Sequence, residues 1–127
     1  MRTSLIISLT LLALTVAVGF VSAHEASALS QRYISAAEEL RILTEKAEWS
    51  RAEEVASAYL TSWHETLSRL QILINHDDID EVTLSLVKLQ AAMRAQDQAA
   101  CFEACAELKE NASHIYHRDA FTLGNVL

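Results

Sequence analysis

The chain has 127 residues, no proline and only two glycines, and its 10 Lys and Arg face 17 Asp and Glu, a formal net charge of −7. That balance excludes a nucleic-acid surface, which needs clustered Lys and Arg, and argues against docking on anionic lipid through a basic face. With Gly19 and Gly124 as the only glycines, nothing in between supplies the punctuation of strands and hairpins, so the expected class is all-α.

Residues 3–23 carry no charge, and all the acidic residues follow them. As a helix, this run would rise about 31 Å, enough to cross a hydrocarbon core. Arg2 marks the cytoplasmic end, so the positive-inside rule sends the carboxyl side out. Two readings stand. Val21-Ser22-Ala23 offers the small residues that signal peptidase accepts, with cleavage before His24 and a secreted soluble module as product. The length of the run favours an uncleaved anchor, because signal h-regions span about 7–15 residues. The division is therefore 1–23, signal-anchor or signal peptide, and 24–127, an extracytoplasmic helical domain. Without Arg2 that domain has 9 basic and 17 acidic residues, a net charge of −8.

Periodicity divides the domain into four amphipathic stretches. The first carries Leu29, Tyr33, Ala36, Leu40, Leu43 and Ala47; the second carries Ala52, Ala56, Tyr59, Trp63, Leu67, Leu70 and Ile74. The step from Ala47 to Ala52 slips the phase, and Ser50 with Glu53 reads as a capping box, so a new helix is expected there. The third stretch follows Asn75-His76-Asp77-Asp78, with Val82, Leu86, Leu89 and Met93 on its seam and Ile79, Leu84 and Val87 alongside. Continuing that seam would bury Asp97, which reads better as the N-cap of a fourth helix bearing Cys101, Cys105, Leu108, Ala112 and Ile115. Such stripes cannot be buried alone. An up-and-down bundle of about four helices is the economical packing, its first helix running on from the membrane segment.

The densest polar cluster is His76, Asp77, Asp78, Asp80 and Glu81. As a cation site it lacks the glycine and distal glutamate of an EF-hand loop, so His76, Asp77, Asp78 and Asp80 are weak metal candidates. The plainer role is that Asp78 or Asp80 caps the third helix while its neighbours complement the dipole. Cys101 and Cys105, four apart on an apolar seam, suit a disulfide poorly and read as small core residues. His114 and His117 lie near the end of the fourth stretch, where cations favour a helix C-terminus. Trp63 falls on the seam and is expected in the core, with Trp49 covering a turn. Asn111-Ala112-Ser113 matches a glycosylation acceptor, uninformative inside a helix. No catalytic residue and no cofactor are expected.

The stretch Ile74-Asn75-His76-Asp77-Asp78-Ile79-Asp80, then Leu84-Ser85-Leu86 and Leu89, resembles the core signature of domain-of-unknown-function family 4363. Trp49, Trp63 and the ending Thr122-Leu123-Gly124-Asn125-Val126-Leu127 are similar to the rest of its pattern. The resemblance implies a small bacterial envelope protein with one amino-terminal membrane segment and a helical remainder, whose apolar tail packs back on the bundle. It implies no activity. The expectation is a non-enzymatic interaction or scaffold module, single-pass with its amino terminus inside. Its partner is expected to be another membrane or envelope protein, or a second copy in a homo-oligomer. A cation- or ligand-sensing turn at His76–Asp80 is the alternative.

Overall fold

The computed structural model describes the backbone of residues 1–71 and 74–126, and side chains for residues 1–71 and 74–115. These residues form four helices: α1 (Arg2–Glu45), α2 (Trp49–Leu70), α3 (His76–Arg94) and α4 (Gln98–Val126). Among the described residues there is no strand. Each helix packs on its neighbours in a closed ring, α1 on α2, α2 on α3, α3 on α4 and α4 back on α1, with the α1–α4 seam the most extensive. The links are short, so consecutive helices run antiparallel, as an up-and-down bundle requires.

α1 serves two environments without a break. Its 44 residues extend about 66 Å, twice what the bundle needs. The apolar side chains from Leu5 to Val21 project into solvent, and burial begins only at Ala26. From there Ala26, Leu29, Tyr33, Ala36, Leu40 and Leu43 pass into the core. In the amino-terminal half, the hydroxyls of Thr10 and Thr15 donate to the carbonyls of Ile6 and Leu11, one turn back. Such bonds satisfy a hydroxyl without water, which suits an apolar medium.

The two turns at the far end of the bundle share one backbone device. After α1, Ala47 adopts φ 54°; its N–H donates to Thr44 O, and that of Glu48 to Leu43 O. After α3, Gln96 adopts φ 52°, with Gln96 N–H on Met93 O and Asp97 N–H on Ala92 O. Both are Schellman motifs, whose left-handed residue is usually glycine. Here it is alanine and glutamine, so the sequence carries no glycine signal at either stop. The turns sit side by side, where Gln98 Nε2 donates to Thr44 O at 3.2 Å.

Several expected details are corrected. α2 begins at Trp49 with Glu48 as N-cap and no side-chain cap bond, so Ser50 and Glu53 form no capping box. The Schellman turn places the start two residues earlier, and Glu53 instead pairs with Arg94 across the bundle at 2.9 Å. Ala47 leaves the first seam, because its left-handed backbone turns it out to solvent. The N-cap of α3 is Asn75, whose side chain accepts from Asp77 N–H at 3.0 Å; neither Asp78 nor Asp80 caps it. Asp97 caps α4 as expected, its Oδ1 accepting from Ala100 N–H at 3.1 Å.

The core follows the seams closely. Trp63, Leu40, Val82, Leu86, Leu89, Cys101, Leu108, Ala112 and Ile115 are all sealed from solvent. Thr66, Thr44 and Ser85 are buried with them, each donating to a carbonyl one turn back. Leu84 and Val87 face outward on α3. Trp49, half-buried against the core, covers the first turn as expected.

Candidate functional site

The acidic turn does not gather its candidates. Asp78 is 1% exposed, drawn inward because it lies four and seven positions before Val82 and Ser85 on the buried face of α3. His76, Asp77 and Asp80 face solvent on the other side of the first turn of α3. Asp77 and Asp78 sit where an acid complements the helix dipole. Among the described residues no three His, Cys, Asp or Glu side chains are placed to share a metal ion.

One turn further along, α3 meets α4 through polar groups. Asn111 Nδ2 donates to Ser85 Oγ at 2.8 Å and to Glu81 O at 3.3 Å. His114 Nδ1 lies 3.8 Å from Glu81 Oε2. α4 continues well past His114, so this histidine answers a carboxylate of the neighbouring helix and not its own C-terminus; the side chain of His117 lies outside the described residues. Asn111 is committed to the inter-helix contact, which explains its place better than a glycosylation acceptor does.

The aromatic layer at mid-height is likewise structural. Trp63 lies edge-on to Tyr33, ring centroids 5.0 Å apart, and Tyr33 stands edge-on to Tyr59 at 6.1 Å. Trp63 Nε1 donates to Thr83 Oγ1 at 2.7 Å, so the one polar atom of this buried ring is satisfied on α3. Tyr59 donates to Glu39 at 2.6 Å, and desolvation, then this carboxylate, pushes its phenol up to about 12. Cys101 and Cys105 are free and buried. Desolvation raises both thiols, Cys105 to about 12. A thiol held protonated is a poor nucleophile and a poor metal ligand, which agrees with core packing.

One arrangement was invisible to spacing. At the end of the bundle nearest the apolar run, Glu25, Ala28, Leu29 and Arg32 of α1 and Thr66, Arg69 and Leu70 of α2 line a cleft of about 470 Å³. Arg32 and Arg69 come from different helices, and only the antiparallel pairing of α1 with α2 puts them on one cavity. Their sole sequence trace is that each lies beside a seam residue, Tyr33 or Leu70, a position that any solvated arginine can occupy.

The apolar half of α1 contains an 18-residue window of mean hydropathy 2.4, none of it buried, and is long and apolar enough to cross a membrane. No curated protein and no solved structure matches the chain. A family model described as "Domain of unknown function (DUF4363)" matches residues 20–126, from the end of the apolar run through the whole bundle. With most of its length covered, and with the helical remainder that the His-acid turn and the spaced tryptophans suggested, the chain belongs to that family of domains of unknown function.

Proposed function

We propose that this is a single-pass envelope protein, amino terminus inside, that presents its acidic bundle outside as a non-enzymatic interaction module. The observation that carries the reading is the unbroken α1, exposed and apolar over its first half and buried in the bundle over its second. A helix without a hinge at the junction ties the bundle to the span as a stiff stalk, which suits holding a surface at a set height. The polar side chains support the same view, because they pin one helix to the next. Besides the pairs above, Gln90 donates to Ser57 at 2.8 Å and Lys88 pairs with Glu107 at 3.1 Å. The partner in this reading is a neighbouring membrane or envelope protein, or a second copy.

Membrane fractionation with an alkaline wash, followed by intact mass, tests the tether. Full-length protein retained in the membrane is expected; soluble protein beginning at His24 would refute the anchor. In-membrane cross-linking tests the partner, and monomer alone would refute the module. The secreted reading has one observation in its favour. Burial starts at Ala26, so cleavage after Ala23 would remove none of the core.

A further inference from the structure

We propose that the last two turns of α4 enter the outer leaflet beside α1, so that the protein meets the bilayer at a second place besides its span. The inference rests on the reading that residues 3–23 cross the membrane, and adds to it the depth at which the bundle sits.

α4 is the long member of the bundle, 29 residues against 19 in α3. Its start is fixed at the far end, where Gln98 reaches Thr44, and Phe102 and Ala106 then share a cavity with Arg41 and Ala37. Each step along α4 is thus matched by a step back along α1, and this register brings Asp119 level with His24. The α3 side gives the same height independently. Lys88 pairs with Glu107, and His114 lies against Glu81, which sets Asp119 level with His76, the first residue of α3. α2 closes the same floor, its Leu70 lining one cleft with Glu25. Beneath this floor, among the described residues, only α1 and α4 continue as helices. α4 runs on through residues 120–126, about 10 Å lower. It stays helical to Val126, so the tail does not turn back on the bundle.

The register joins two boundaries that are remote in the sequence. Residues 3–23 of α1 carry no ionisable side chain, and neither do residues 120–127 at the other end of the chain. Nothing in residue order ties one boundary to the other, yet the fold sets His24 and Asp119 at one height. A common level at which both helices change from charged to apolar is what a bilayer surface imposes. An overhang into water would have no need of it.

The segment Ala120-Phe121-Thr122-Leu123-Gly124-Asn125-Val126 suits that depth. The headgroup zone of one leaflet is about 5–7 Å deep, so an overhang of about 10 Å passes through it and ends at the edge of the hydrocarbon. Phe121, Leu123 and Val126 gain from such surroundings. Thr122 and Asn125 interrupt the apolar run, which the headgroup level tolerates and the bilayer centre does not. The closing carbonyls of α4, which no helical N–H can reach, stay within range of headgroup donors and water. Lipid is the occupant because the segment runs beside the part of α1 that lipid already surrounds. A charge-free segment needs no basic face, so the acidic composition is no obstacle.

The test is site-specific fluorescence of the full chain in phosphatidylcholine vesicles. Phe121→Cys and Asn125→Cys are labelled with a polarity-sensitive dye, as are Glu110→Cys above the floor and Ala13→Cys within the span. The native thiols are buried, and the parent chain carried through the same labelling sets the background. Circular dichroism and melting that match the parent confirm that each variant is folded. The dyes at 121 and 125 should lose most of their emission to a lipid nitroxide placed high on the acyl chain and little to aqueous iodide; the dye at 110 should do the reverse. Iodide quenching at 121 and 125 equal to that at 110 would overturn the proposal. Protection of both positions from both quenchers would overturn lipid as the occupant, in favour of a second copy or another protein. The dye at 13 separates the two readings. If it is reached by the lipid nitroxide while 121 and 125 face iodide, only the second contact fails; if iodide reaches position 13 as well, the span itself is refuted.

Discussion

Replacing Trp63 with alanine removes the largest side chain in the core, and the structure sets the size of the effect. The ring is 0% exposed, so truncation forfeits its full transfer free energy and leaves a cavity, together about 3–5 kcal/mol. The edge-on contact with Tyr33 at 5.0 Å adds about 0.5–1.5 kcal/mol. The lost bond from Nε1 costs less than it first suggests. Thr83 Oγ1 still donates to Ile79 O at 2.7 Å, so only its acceptor role is vacated. Trp63→Phe isolates these parts, keeping most of the ring contact while losing volume and the bond, at about 1–3 kcal/mol. Thr83→Val is expected to cost about 1–3 kcal/mol, because it strands a buried indole N–H. In a double-mutant cycle Trp63→Phe and Thr83→Val should couple by about 1 kcal/mol. Urea unfolding of the full chain in detergent, followed at 222 nm, measures all four species. A domain of this size has about 5–15 kcal/mol of stability in all, so Trp63→Ala should remove much of it. A loss of a few tenths in Trp63→Ala would refute the seam, and additive single variants would refute the bond to Thr83.

Three further outcomes follow from local geometry. Ala47→Gly should raise unfolding stability by about 0.5–1 kcal/mol, since a left-handed residue with a Cβ costs about 1–2 kcal/mol and glycine gives back about 0.5–1 through the unfolded chain; a loss on urea unfolding would refute the Schellman assignment. Glu48→Asp should stabilise by about 0.5–1 kcal/mol, because Asp97 at the equivalent position of the second turn caps its helix and Glu48 makes no cap bond; an unchanged midpoint would show the two turns are not equivalent. Stability should fall as pH rises from about 9 toward 12, because Cys105 and Tyr59 have folded-state values near 12 against ordinary values of 9.0 and 10.0. Their contribution is whole below the ordinary values and is lost as the unfolded state alone ionises. Tm measured across this range checks it, and a flat profile in the parent that matches Cys105→Ala would refute it.

Much of the bundle was legible because helical burial repeats at short range. A residue three or four positions from another shares its face whatever the rest of the chain does, so the seam from Cys101 to Ile115 could be read without knowing what covers it. The break near Ala47 showed as a phase slip for the same reason, and Asp97 as a cap because a carboxylate on a seam is costly. The residues that perform the break were not legible. A Schellman turn is made by backbone hydrogen bonds, and alanine at φ 54° leaves no mark in the sequence that glycine would have left. Asn75 took the cap from Asp78 once packing had drawn Asp78 inside. The cleft is the clearest case of what tertiary structure decided. Arg32 and Arg69 are remote along the chain, and each alone looks like a solvated charge. They share a cavity only because α2 turns back along α1, a relation set by which stripe covers which. The chain alone determined an apolar amino-terminal run, four helices and their buried faces, all local consequences of residue order. Which helices adjoin, and so which charges meet, was decided by closing the ring.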